Sequence, residues 1–205
     1  MPLLVSPGFA AGVCLLVAGC VILMGIITAE ATYPATYTTF DNEISDLGAT
    51  RPPDSIIRQP SARIFNTTML ASGALILAGA SFLRLMRVRR GSVIAVGLLG
   101  LGVLGVGVFP GNYGAIHPVF ALTAFVSGGI SGIVVTRWVE PPFRLLSVAL
   151  GAITLAALVS AFLGDLTPLV DALGDGGIER WIAYPVVLWL VAFGGYLLGP
   201  RQPQA

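Results

Sequence analysis

Six stretches of this chain are apolar for close to the length of a membrane-spanning helix, which takes roughly 20 residues at 1.5 Å of rise each. That repetition limits the fold more than any other feature does. With 205 residues, 56% of them hydrophobic and only 10% charged, and a mean hydropathy of +0.90, the chain lies far from soluble composition, in which about a quarter of residues are charged. In hydrocarbon every backbone polar group needs an internal partner, so repeated apolar runs of this length form helices. The expected fold is all-α, a polytopic membrane protein made of one bundle of six transmembrane helices.

The expected spans run about Gly8 to Thr28, Ile64 to Met86, Ser92 to Phe109, His117 to Thr136, Phe143 to Leu163 and Trp181 to Leu198. Three of the links are short or turn-like. Arg84 to Arg90 closes the second span, Pro110-Gly111-Asn112-Tyr113-Gly114 is a turn by composition, and Pro141-Pro142 precedes the fifth span. An acidic loop from Asp165 to Glu179, containing Gly174-Asp175-Gly176-Gly177, is expected before the sixth. Residues 29–63 form the one long polar segment, read as a structured extracytoplasmic loop that caps the bundle. Within it Phe40, Ile44 and Leu47 recur at helical spacing among Asp41, Asn42, Glu43, Ser45 and Asp46. This pattern predicts a short interfacial helix ended by Gly48 as a left-handed cap.

Val17-Ala18-Gly19-Cys20 and Ala29-Glu30-Ala31 have the look of processing sites, but no basic residue precedes the first apolar run, and that run exceeds the ~7 to 15 residues of a signal core. It is expected to remain as a span. Cys14 and Cys20 lie within it more than a turn apart, too far around one helix for a disulfide.

Orientation follows from the arginines, since the chain has no lysine. With six spans, one face carries Arg84, Arg87, Arg89, Arg90, Arg137, Arg144 and Arg201 against Glu140. The other carries Arg51, Arg58, Arg63 and Arg180 against Glu30, Asp41, Glu43, Asp46, Asp54, Asp165, Asp171, Asp175 and Glu179. The positive-inside rule then puts the arginine face and both termini in the cytoplasm, with the protein in the plasma membrane. Nothing in this distribution points to nucleic acid.

Several motifs have ordinary readings. Gly100, Gly102 and Gly105 fit a dinucleotide-binding pattern but lie within a span, where small residues let helices approach, as do the pairs Gly128 with Gly132 and Gly195 with Gly199. Asp171 to Gly176 resembles a calcium loop, but Leu173 occupies a ligand position. Asn66-Thr67-Thr68 is a glycosylation sequon placed close against the membrane. Glu179-Arg180-Trp181 and Tyr184-Pro185 suit a pairing of charges with the outer loop and an aromatic belt.

The one histidine, His117, opens the fourth span on the face that carries the polar loop. His117 as base, Ser45 as nucleophile and Asp46 beside it would suit acyl or ester transfer. Glu30, Tyr33, Asn42, Asn66, Asn112, Glu179 and Arg180 would complete a polar cluster that either binds a ligand or staples the loop to the bundle. His117 with two carboxylates would offer metal donors, but no metal or cofactor is expected. Membrane lipid is the expected partner, with other membrane proteins reached through glycine-rich helix faces. Three functions stand open: a lipid- or small-molecule-handling protein, in one form a membrane-embedded hydrolase; an assembly subunit without catalysis; and a transporter, the weakest because no charge lies mid-span.

Taken together, Glu30-Ala-Thr-Tyr33-Pro34, Asn42-Glu-Ile-Ser45-Asp46-Leu47-Gly48, Ile64-Phe65-Asn66, Val108-Phe109-Pro110 with His117, and Glu179-Arg180-Trp181-Ile-Ala-Tyr184-Pro185 resemble the uncharacterised prokaryotic, mostly archaeal, membrane family catalogued as domain of unknown function 998. The resemblance spans almost the whole chain and implies a six-helix membrane protein. It implies no activity, substrate or catalytic residue.

Overall fold

The computed structural model describes residues 6–199, so Arg201 lies outside the described residues. Six α-helices account for most of them: α1 (Pro7–Ala31), α2 (Ser61–Leu85), α3 (Arg90–Val108), α4 (Ile116–Val134), α5 (Phe143–Leu163) and α6 (Pro168–Leu198). There is no strand among the described residues. All six helices are long and apolar enough to cross a membrane, and the chain is a multi-pass membrane protein. Each helix packs on the next, and α6 closes the ring by packing on α1. One end of the bundle carries the long loop between α1 and α2, here called the cap. The other carries the α2–α3 and α4–α5 links with their arginines.

Several polar groups inside the bundle are bonded across helices, as a bilayer favours, although the buried hydroxyls of Ser72 and Thr154 have no partner among the described residues. Trp189 Nε1 donates to Ser147 Oγ at 2.8 Å, and Ser147 Oγ donates to Gly132 O at 2.6 Å, tying α6 to α5 and α4. Around this bond Trp189 and Phe193 stack at 5.0 Å, and Phe143 stacks on Phe193 at 5.9 Å and on Tyr196 at 4.9 Å. Glycines set the helix spacing. A Cβ at Gly102 would stand 2.5 Å from the Ala124 backbone nitrogen, and one at Gly128 would stand 2.6 Å from Val186. The expected Gly195 to Gly199 face is different, because a Cβ at Gly195 meets nothing within 4 Å.

α2 ends in a tight reversal. The Arg87 N–H donates to Arg84 O at 3.0 Å and the Val88 N–H to Leu83 O at 3.3 Å, the two bonds of a Schellman cap, with Val88 and Leu83 both buried. Arg87 holds the left-handed position at φ 60°, where glycine is the usual residue and an L side chain costs about 1–2 kcal/mol.

Three local expectations need correction. The acidic segment before the sixth span is helical rather than a loop, because Thr167 is extended, Pro168 opens the helix and the chain stays helical on both sides of a break at Gly174 (φ 69°). Its glycines make room for the cap rather than a turn: a Cβ at Gly176 would stand 2.1 Å from Asn42 O, and Gly176 N donates to Phe40 O at 2.9 Å. The short cap helix begins at Ile44, not Phe40, and is a 3₁₀ turn, Ile44–Leu47. Ahead of it, Asn42 Oδ1 accepts from Thr38 N at 3.0 Å and Thr38 Oγ1 bonds Asp41, which holds residues 38–42 in a side-chain-closed turn. Ile44 and Leu47 are buried while Phe40 is half exposed. Gly48 is right-handed (φ −85°). Its small size is what matters, since a Cβ there would stand 2.5 Å from Asn66 Oδ1 and 2.8 Å from Phe65.

Candidate functional site

The cap is fastened by one arginine. Arg180, 8% exposed on α6 six residues after the break at Gly174, donates through Nη2 to Glu30 Oε1 at 2.5 Å and to Tyr37 Oη at 2.8 Å. Through Nη1 it donates to the carbonyls of Gly176 at 2.8 Å, Asn42 at 3.0 Å and Thr39 at 3.3 Å. The four N–H groups on the two Nη atoms of the planar guanidinium reach five acceptors, with one N–H shared at Nη1, while the buried Nε–H has no partner among the described residues; an ammonium reaches fewer. Tyr37 passes the chain of bonds on by donating to Glu43 O at 3.0 Å, and its ring lies 5.2 Å from that of Tyr33. Burial raises the Tyr37 hydroxyl above its ordinary pKa, against the opposing pull of Arg180, so it stays a neutral donor.

A second set of groups holds the 3₁₀ turn itself. The Ile44 N–H donates to the Glu179 carboxylate, Asp46 Oδ2 accepts from Glu43 N at 3.1 Å, and Glu43 pairs with Arg51 at 2.7 Å. Burial raises the pKa of both Glu43 and Asp46, with Arg51 pulling Glu43 and the Glu43 amide pulling Asp46 the other way. Ser61 Oγ at the start of α2 donates to Leu47 O at 3.2 Å, closing the turn onto the bundle.

His117 is 2% exposed in the first turn of α4. Its Nδ1 lies 2.8 Å from Phe109 O. A carbonyl only accepts, so Nδ1 carries the proton and the neutral ring keeps Nε2 as an acceptor. Ser45 is buried, and its hydroxyl lies 3.4 Å from Glu43 Oε2. The sequence placed Ser45, Asp46 and His117 together, and they are neighbours, but no hydrogen bond links the three. Asn66 Oδ1 is buried without a partner. Asn112 lies in the turn Gly111–Tyr113 between α3 and α4.

Ser45, His117 and Glu179 are the polar side chains on a cavity of about 80 Å³ in the centre of the bundle. Its walls are apolar and come from α1, α2, α3, α4 and α6, among them Ile26, Met69, Val103, Ala124 and Val187. A groove of about 310 Å³ bounded by α4, α5, α6 and the cap is lined by the same three polar residues, by the charged Glu43, Arg51 and Asp175, by Ala121 and Phe125, and by Phe162, which is 73% exposed. The two spaces share five residues at their junction. Among the described residues no three His, Cys, Asp or Glu side chains gather as a metal site would require.

Tyr37, Glu43 and Arg51 had not been singled out as site residues. The Tyr33 to Tyr37 spacing and the opposite charges of Glu43 and Arg51 were visible, but nothing in a loop sequence says which residues its turns bring together.

A family model described as "Protein of unknown function (DUF998)" matches residues 16–196. The chain belongs to this family. No curated protein and no solved structure matches it. The DUF998 match runs from α1 to near the end of α6 and includes every residue of the cap and of the central cavity.

Proposed function

We propose that this protein binds a membrane amphiphile whose polar end, a hydroxyl or an ammonium, lies at Ser45, His117 and Glu179 and whose chain lies in the apolar cavity and the groove beside it. The observation that carries the reading is the shared lining: the groove reaches the exposed face of α5 and carries Glu43, Arg51 and Asp175 among its apolar side chains, and Ser45, His117 and Glu179 stand where it joins the apolar cavity. Apolar enclosure with a few convergent polar groups is what a small-ligand site requires. The chemistry of those groups favours a donor. A neutral His117 offers Nε2 and the Glu179 carboxyl group offers an oxygen as acceptors, and Glu43 lines the adjoining groove.

Binding is favoured over hydrolysis because Ser45 is turned toward Glu43 and His117 is oriented by a main-chain carbonyl rather than by a carboxylate. Of the glycine faces that an assembly role would use, those at positions 102 and 128 are filled by neighbouring helices of the same chain, which leaves that role the open face at Gly195. We place the cap outside the plasma membrane and both termini in the cytoplasm, on the strength of the arginines gathered at the opposite end. A tag on the C-terminus should be protected in intact cells and one at Ser55 should be accessible; the reverse pattern would invert this orientation.

Ligand binding is tested by purifying the chain in mild detergent, extracting it with organic solvent and identifying retained amphiphiles by mass spectrometry. The wild type is expected to hold one species in stoichiometric amount. Ala121→Phe, which narrows the junction, and His117→Ala, which removes an acceptor, are each expected to lose it. Wild-type extracts indistinguishable from those of both variants would overturn the reading. Turnover of a native lipid extract, abolished in Ser45→Ala, would replace binding with hydrolysis.

A further inference from the structure

The end of the bundle away from the cap carries a different chemistry. Arg84, Arg87 and Arg90 line one groove of about 630 Å³ together with Val88, Val93 and Ile94. Arg89 and Arg137 flank an adjoining groove beside Ser92. None of these five guanidinium groups makes a hydrogen bond or ion pair with any described residue. Glu140, the one carboxylate in the links at this end, faces Arg144 at 3.6 Å instead.

Two features separate this patch from ordinary surface charge. Solubility is served by mixed signs, whereas here five cations stand in and beside two short links whose one carboxylate, Glu140, faces Arg144. The second is backbone geometry: Arg87 occupies the left-handed position of the α2 cap, which glycine would fill with less strain. The turn does not call for an arginine at this position, so its presence is better explained by its side chain. The groove is also amphipathic, since Ile94 on its wall is 59% exposed and faces outward from the bundle.

We propose that the groove of Arg84, Arg87 and Arg90 binds the phosphate of an anionic phospholipid, with the acyl chains lying along Ile94. The planar fork of arginine matches phosphate oxygens two at a time, and basic grooves between transmembrane helices suit such headgroups. This site is separate from the central cavity, so either proposal can fail alone.

The full-length chain, solubilised with equal amounts of phosphatidylglycerol and phosphatidylcholine, is assayed for retained lipid by native mass spectrometry. Wild type should retain the anionic lipid preferentially. Each arginine at an anionic surface contributes roughly fivefold, so Arg84→Gln with Arg87→Gln and Arg90→Gln should reduce the preference about 100-fold, while Arg58→Gln with Arg63→Gln at the cap end should leave it intact. Arg87→Gly is the decisive single variant. It should weaken lipid retention while melting no lower than wild type, because glycine suits the turn. Equal retention of both lipids by wild type, or an Arg87→Gly protein that binds as before, would overturn the proposal. So would full displacement of the lipid by millimolar inorganic phosphate, which would make the groove a site for free anions.

Discussion

Arg180→Ala should release the cap and leave the bundle intact. The substitution removes donors from Glu30, Tyr37 and the carbonyls of Thr39, Asn42 and Gly176, and both members of the ion pair are mostly shielded, with side-chain exposures of 9% and 23%. Breaking a buried pair from one side costs about 3–5 kcal/mol, since the abandoned partner remains desolvated. Water at the cap end can re-solvate part of this, so the lower figure is the working value. All five acceptors lie in the cap or in the ends of α1 and α6 beneath it, so the cost falls on local opening. Hydrogen exchange reads it directly: about 3 kcal/mol corresponds to roughly 100-fold faster exchange at the amides of Ile44, Gly48 and Gly176, each of which is bonded in the closed cap. Amides in the middle of α3 should be unaffected. Arg180→Lys should recover only part of the protection, because an ammonium reaches fewer of these acceptors. Unchanged exchange in the cap would refute the fastening role of Arg180, and a uniform increase reaching mid-α3 would show that it supports the whole bundle instead.

Three further outcomes follow from the packing and the titrating groups. Burial raises the pKa values of Glu43 and Asp46 above their ordinary ~4; their stabilising contribution is therefore complete below that value and is lost as pH rises through the raised ones. The cap should open less often at about pH 5 than at about pH 7 once intrinsic exchange rates are corrected, and more frequent opening at the lower pH would contradict this. Gly102→Val should destabilise the bundle by about 1–3 kcal/mol or more through overpacking against the Ala124 backbone. Gly97→Ala, where a Cβ meets nothing within 4 Å, should stabilise by about 0.5–1 kcal/mol, and thermal melts in one detergent compare the two. Ser147→Ala should cost about 1–3 kcal/mol by leaving the Trp189 indole N–H without its acceptor, seen as a lower melting temperature with altered tryptophan emission.

The helices were legible in the sequence because hydrocarbon permits a long apolar run almost no other structure. The cap was legible as a segment but not as a shape, and residues 38–48 show why. Phe40, Ile44 and Leu47 have helical spacing, yet Asn42 and Thr38 close a competing turn with their own side chains, and spacing alone does not weigh a side-chain bond against a backbone one. The glycines of Gly174-Asp175-Gly176-Gly177 misled for a related reason. In a lone sequence such a cluster reads as a flexible loop; in the fold, Gly174 does take a left-handed break, but Gly176 is helical and is small so that the carbonyl of Asn42 can press against it. The same contact brings Asn42 within reach of Arg180 on the next turn of α6. A glycine and an arginine four residues apart thus act as one device, the first admitting the cap backbone and the second binding it. This pairing explains why Glu179, between them, reaches the Ile44 amide and stands over the central cavity. The candidate site was therefore readable as a set of residue types, whereas its geometry depends on close backbone approaches that leave no periodicity in the sequence.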